Sequence, residues 1–230
     1  MSEASDRRLP PPAVVRGYGL RLRAWRTGDE AALLRAYNDA EFLHWNTPLN
    51  SLTTEAEAAL AFGRYAEGRE RGDLAQFCVV GGEEERGEEE TVLGHVGLRL
   101  IDFRMRSADV GYWVLPEARG RGVARRALEL CTRWAFDEVG LHRIQLGHAL
   151  GHEISCRVAE RCGYRAEGTL RDGMFAAGTL NAFRDVHRHA RLATDPPSAY
   201  PPSAYPPSAD PPPADPPSGA TPSGATPERP

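Results

Sequence analysis

A strand that stops at a proline and re-enters a helix across two glycines limits this chain more than any other feature of its sequence. In "ADVGYWVLPEARGRGVARRAL", residues 108–128, the first half alternates as a strand, Pro116 ends it, and Arg119-Gly120-Arg121-Gly122 crosses to a helix starting near Val123. The glycines remove Cβ atoms where backbone N–H groups can converge, and the helix adds the positive end of its dipole. Arg119, Arg121 and Arg125 bring charge-assisted donors to the same place. A pyrophosphate suits such a turn, while a loop with glycine for tightness is the plainer reading of the same residues. The turn is neither a Walker A loop, which needs Lys after Gly, nor G-x-G-x-x-G.

The strand before the turn narrows the choice. Val110, Tyr112 and Val114 point one way, and Asp109, Gly111, Trp113 and Leu115 the other. Gly111 inside a strand suggests a bulge or the close approach of another backbone-like group. An amide-bearing ligand arm could pair with such a strand as an extra strand. The helix that follows carries Val123, Ala124, Ala127, Leu128, Cys131, Trp134 and Ala135 on one face, with Arg125, Arg126, Glu129 and Arg133 outside.

Elsewhere the pattern alternates between strand and helix. "YGLRLRAW" reads as a strand; Thr27 or Asp29 caps a helix through about Ala40; Thr53 or Thr54 with Glu57 forms a capping box opening a helix to about Arg69. "LAQFCVV" and "TVLGHVGLRLI" form a hairpin around the acidic run "GGEEERGEEE", read as a solvated, mobile loop. "HRIQLGHA" is a strand, "SCRVAERCG" a short helix ending at Gly163, and "YRAEGTLRD" and "FRDVHRHARL" are two closing strands. This predicts an α/β fold with a mixed central sheet of about seven strands flanked by helices.

Composition sets the outer limits. The 230 residues have 41% hydrophobic and 26% charged content, as expected for one core, and a net charge of −4 that argues against nucleic acid or an anionic membrane as partner. Every one of the 28 basic residues is arginine. Cys78, Cys131, Cys156 and Cys162 show no C-x-x-C pair and no zinc-type spacing with the seven histidines, so no metal is expected. The polar start "MSEASDRRLPPP" has no apolar signal region, which together with the unpaired cysteines predicts a cytoplasmic protein with reduced thiols. Three segments are expected: a flexible start over 1–14, one domain over 15–194, and a disordered tail over 195–230 built on PPSAY-like repeats. The tail is read as a spacer, with a ligand for a proline-binding domain as the functional alternative.

Two stretches carry a resemblance. "ADVGYWVLPEARGRGVA" resembles motif A of the Gcn5-related N-acetyltransferases (GNAT), whose R/Q-x-x-G-x-G/A turn falls on Arg119, Gly122 and Ala124, and "EISCRVAERCGYRAEGTLRD" is similar to the RimJ/RimL-like branch. The resemblance spans about residues 18–193. It implies acetyl-CoA as donor: pyrophosphate on Arg119, Gly120, Arg121, Gly122, Val123, Ala124 and Arg125, and pantetheine along 112–115, through Trp113, Val114 and Leu115. It also implies a coenzyme contact at His152, where the family often has Asn, and transfer of acetyl to a primary amine. In that branch a serine at the position of Ser155 protonates the leaving thiolate; the bare residue reads equally as a helix cap. The tyrosine acid of many members is replaced here by Ala159. Asp109 falls where relatives carry a carboxylate base, and reads otherwise as a solvated strand-edge group. His148 and His152 are further candidates for the base, and backbone N–H near Trp113 or Val114 for oxyanion stabilisation. Trp45 is expected to pack or to line the acceptor side, and Cys156 and Cys162 to pack. The favoured acceptor is a protein N-terminal α-amine. A small-molecule amine acetyltransferase (aminoglycoside, polyamine or amino acid) and a non-catalytic acyl-CoA-binding protein are the alternatives, and a homodimer stays open.

Because the repeats offer almost no aliphatic surface, a chain ending at Thr194 is expected to keep its melting temperature and turnover. Calorimetry and a steady-state assay on the shortened chain check this; a large loss of either means the tail docks on the domain.

Overall fold

The computed structural model describes residues 8–11, 14–46, 52–81 and 90–198. The acidic run and the proline repeats lie, for the most part, outside the described residues.

The chain opens with a small hairpin, β1 (Val15–Gly17) and β2 (Leu20–Arg23), where a single strand is expected from the sequence. The break falls at Tyr18-Gly19, both at positive φ. Three helices follow: α1 (Glu30–Tyr37), α2 (Ala40–Trp45) and α3 (Glu55–Arg71). The helix expected to run to Ala40 is thus two, because Asp39 starts a new one by accepting from the Phe42 N–H at 2.8 Å. Asp29 makes no side-chain cap; its carboxylate pairs instead with Arg23 at 2.7 and 2.9 Å. The Thr54/Glu57 capping box forms as expected.

Then come β3 (Leu74–Gly81), β4 (Thr91–Asp102), β5 (Ser107–Val114), α4 (Val123–Asp137), β6 (Arg143–Ala149), α5 (Glu153–Arg161), β7 (Arg165–Phe175) and β8 (Phe183–Leu192). Among the described residues they form one sheet of eight strands, in the order β1-β2-β3-β4-β5-β6-β8-β7. β5 and β6 are parallel neighbours, joined by α4 as the crossover that parallel strands need; the other pairs are antiparallel.

The main core lies between the sheet and α4, whose Val123, Ala127, Leu128, Cys131, Trp134 and Ala135 meet Phe77, Val96, Leu98, Val110 and Leu146. Truncating a fully buried residue such as Leu128 to Ala should cost about 2–5 kcal/mol. Glu129, expected outside, is buried: it binds Arg191 of β8 at 2.8 Å, and Arg191 also donates to the Cys162 carbonyl. The other face of the sheet holds Trp25, Cys78 and Val80 against α1 and α3. Chain contacts reach past 15–194 at both ends. Arg69 donates to the Pro10 carbonyl at 2.8 Å, and Asp195 accepts from the Leu192 N–H at 2.9 Å while pairing with Arg165. A chain ended at Ser198 keeps the second of these.

His95 sits inside an aromatic cluster. Trp25 Nε1–H donates to its Nδ1 at 3.1 Å, its Nε2–H donates to Gln76 Oε1 at 2.9 Å, and its ring stacks on Trp113. Burial lowers its pKa from 6.5 to about 3. The unfolded chain therefore binds this proton near pH 6.5 while the folded chain refuses it until about 3, so His95's contribution to stability is whole above pH 6.5 and is lost as pH falls toward 3. The urea midpoint should drop across that window. In His95→Phe the slope should flatten, at the cost of about 1–3 kcal/mol at neutral pH for the partners left unpaired. Unfolding curves at pH 7.5 and 4.5 decide it, and an unchanged slope would remove His95 as the cause.

Candidate active site

β5 and β6 pair over four rungs, from Ser107↔Arg143 to Val110↔Leu146, and then part. β5 continues to Val114 along β4, and β6 continues to Ala149 along β8. From Gly111 to Val114 the edge of β5 that faced β6 has no strand partner among the described residues. Gly111 pairs regularly with Gly97 and forms no bulge; a Cβ there would meet nothing within 4 Å, so the head of the gap is open. The irregular register lies instead between Arg99 and Asp102. A free strand edge of this length holds amides in the way a neighbouring strand would.

The turn lies at the far end of that edge. Pro116–Ala118 form one 3-10 turn, and Gly120 and Gly122 both take left-handed backbone, with φ of 73° and 69°. Gly122 is the N-cap of α4 and brings no side chain to it, and the first turn holds no acidic residue. The leading N–H groups of α4 therefore lack both helical acceptors and a carboxylate to satisfy them. Val123 anchors this end in the core and is 2% exposed. Arg121 is exposed and Arg125 half-buried beside the turn. These groups fit a pyrophosphate.

Two expected coenzyme residues are otherwise engaged. Leu115 is tied into the fold: its side chain is fully buried, its N–H donates to the Leu93 carbonyl at 2.9 Å, and its carbonyl accepts from Ala118. Arg119 reaches back to Asp39 and Glu41 of α2, so it ties the turn to that helix. Trp113 turns its ring toward Trp25 and His95, leaving backbone for a ligand, and Val114 packs against the main core.

Across the gap, α5 presents Ser155, 6% exposed. His152 is the N-cap and makes no side-chain cap; Ser155 is the third helical residue, so it does not cap either. Its Oγ lies 2.8 Å from the Tyr112 hydroxyl. Burial pushes that phenol well above its ordinary value of 10, against the pull of Ser155, and it stays protonated near neutrality. Tyr112 is the functional candidate that residue patterns missed. The alternation placed it on one face with Val110 and Val114, but nothing in the sequence brings residue 155 to it. Ala159 is fully buried in the core, so no hydroxyl can stand there.

Asp109 sits on the opposite face of β5 from Tyr112, at the rung with Gln145. Its two oxygens face Arg188 at 3.4 Å, and Arg99 lies at 3.8 Å. His152 stacks on Trp45 at 4.3 Å, which places α2 against the start of α5, and Arg184 donates to the Trp45 carbonyl. Burial, with His148 and Arg184 nearby, lowers the pKa of His152 to about 4. His148 donates Nδ1–H to the Ala149 carbonyl at 2.9 Å, and its Nε2 lies 3.2 Å from His189 Nε2. Cys162 packs, with burial raising its thiol to about 12, whereas Cys156 stands half-buried with Sγ near His187.

Known proteins are similar to this chain in sequence and in fold. The model of the family described as acetyltransferase (GNAT) domain matches residues 19–165. A ribosomal-protein-serine acetyltransferase of Escherichia coli (strain K12) is 27% identical over 106 residues, 46% of this chain and 57% of that protein. A spermidine N(1)-acetyltransferase of Vibrio cholerae is 30% identical over 100 residues, 44% of this chain and 56% of that protein. The chain thus spans little more than half the length of these relatives. RimJ of Mycobacterium smegmatis, solved in complex with CoA-disulfide, shares the fold with a TM-score of 0.69 at 24% identity, covering 79% of this chain and 88% of that one. With the parted strands, the glycine turn and a match over most of the domain, this chain belongs to the GNAT acetyltransferase family.

Proposed function

We propose that this protein transfers an acetyl group from acetyl-CoA to a primary amine, and that the acceptor is a protein N-terminal α-amine. The observation that carries the reading is the free edge of β5 over 111–114, leading to a helix N-terminus with no capping side chain and no acidic residue in its first turn. Residues 120–125 would hold the pyrophosphate and the backbone of 112–114 the pantetheine amides; when bound, the coenzyme supplies an activated acetyl thioester. Ser155 Oγ gives its proton to the departing sulfur and regains one from solvent, and Tyr112, which stays protonated, orients the serine hydroxyl through their shared hydrogen bond. Asp109 on the opposite face draws the incoming ammonium and takes its proton, directly or through one water.

Charge favours a peptide amine over a polyamine. The acceptor side is bordered by Arg184, His152 and Trp45, with Arg188 and Arg99 beside Asp109. A singly charged N-terminus tolerates these cations better than spermidine does. A panel of peptides with free N-termini, spermidine and an aminoglycoside, read by release of free thiol, tests this; turnover of spermidine but of no peptide would reverse the assignment.

Gly122→Glu places a carboxylate at the helix N-terminus and a side chain at φ 69°. Acetyl-CoA binding by calorimetry should nearly vanish while the fold survives; unaltered affinity would refute the cradle.

An α-amine and a thiol titrate at about 8 and 8.5, so neither proton transfer is far uphill at neutral pH, and each group should contribute about 100-fold. Ser155→Ala should lower kcat with little change in acetyl-CoA binding, and Tyr112→Phe should do the same more weakly. Asp109→Asn should lower activity most below about pH 8, where the amine is charged. If Ser155→Ala raises KM for acetyl-CoA at constant kcat, Ser155 is a binding residue. If Asp109→Asn retains full rate at every pH, Asp109 is not the base.

A further inference from the structure

The register of β6 and β8 gathers side chains that the sequence keeps far apart. His148 and His187 face each other as a cross-strand pair, and His189 follows His187 on the same face of β8. α5 lies over this face and brings Cys156. One ligating atom from each of His148, Cys156, His187 and His189 lies within 4.8 Å of all the others. Two edges of the group are tighter: 3.2 Å between the Nε2 atoms of His148 and His189, and 3.8 Å between Cys156 Sγ and His187 Nδ1. A tetrahedral zinc ion with ordinary bond lengths requires about 3.3 Å between two nitrogens and about 3.6 Å between nitrogen and sulfur.

A second observation concerns proton placement. His148 donates from Nδ1 to the Ala149 carbonyl, so its Nε2 is bare and the proton between the two Nε2 atoms belongs to His189. The Nδ1 of His189 is then an acceptor, and it is buried with no hydrogen-bond partner in a residue 0% exposed. A cation bound to both Nε2 atoms would move the His189 proton to Nδ1. Metal-bound histidines commonly give their second N–H to a carbonyl, as His148 already does.

We propose that His148, Cys156, His187 and His189 bind a zinc ion, with three imidazoles and one thiolate, and that this ion clamps α5 onto β6 and β8. Binding replaces the Cys156 Sγ proton, which passes to solvent, and no oxidation or reduction is involved. Nitrogen and sulfur donors select zinc over magnesium or calcium. Four protein ligands close the coordination sphere, so the site is structural and holds the helix that carries Ser155. It is independent of the proposed acetyl transfer, since its test reads the metal directly.

The test uses the full-length, untagged chain stripped with a chelator and titrated with Co²⁺, then with Zn²⁺. One equivalent of cobalt should bind with the intense visible bands of a tetrahedral site and a thiolate-to-metal band in the near ultraviolet, and zinc should displace it. At about 100-fold excess over its Kd, zinc should raise Tm by about 5–10 °C. Cys156→Ser should abolish the thiolate band, and Cys156→Ser and His187→Ala should each weaken zinc binding by about tenfold or more and reduce the rise in Tm, their metal-free melting temperatures serving as the control for folding. Weak octahedral-type cobalt spectra, an unchanged Tm with zinc, or variants that bind like the parent would each overturn the assignment.

Discussion

The parting of β5 from β6 is the constraint on which the rest of the molecule depends. Each strand is committed to a different neighbour: β5 follows β4 to the Gly94↔Val114 pair, and β6 follows β8 to Ala149↔Val186. After four shared rungs the two cannot satisfy both commitments and remain together. The opening leaves the backbone of β5 uncovered along one edge, which an isolated domain would ordinarily pair or cover. The neighbouring features turn this liability to use. The chain leaves the free edge through the glycine turn into a helix with no capping side chain and no acidic residue in its first turn, and α5 sets Ser155 against Tyr112 from across the gap.

Arginine holds much of the surrounding framework. Arg23 joins Asp29 and Glu90, Arg191 joins Glu129 to the end of α5, Arg119 joins the turn to α2, and Arg188 spans Asp109 and Gln145. Each of these guanidiniums meets more than one acceptor at once, which a planar fork can do and an ammonium on a flexible stem does poorly. The buried Glu129–Arg191 pair stabilises little as a pair, but losing one partner would strand a charge inside the core at a cost of about 3–5 kcal/mol.

α5 serves two neighbourhoods with adjacent residues. Ser155 turns toward Tyr112 on β5, while Cys156, about 100° further around the helix, turns toward His187 on β8. Whatever fixes the tilt of this nine-residue helix fixes both at once. Its packing is modest, with Ser155 and Ala159 as its buried residues, so a clamp at Cys156 would act directly on the geometry at Ser155.

The order of elements, the glycine turn and the face of β5 that carries Tyr112 were legible in the sequence. They depend on local physics: alternation, capping chemistry and the need for glycine at φ near 70°. Proline and glycine placed the junction, and hydrophobic spacing placed α4 against the sheet. Local rules failed where a distant partner outweighed them. Asp29 gave up its cap for Arg23, Glu129 went inside to meet Arg191, and Leu115 was taken into the core by Leu93 and Ala118. The Tyr112–Ser155 contact and the His148, Cys156, His187, His189 cluster were invisible for the same reason. They join residues up to 43 positions apart through strand register and the docking of α5, which no periodicity encodes. The sequence by itself determined which elements form and where glycine turns the chain from strand to helix. Tertiary structure alone decided which side chains face one another across the gap, because that depends on where two strands stop pairing.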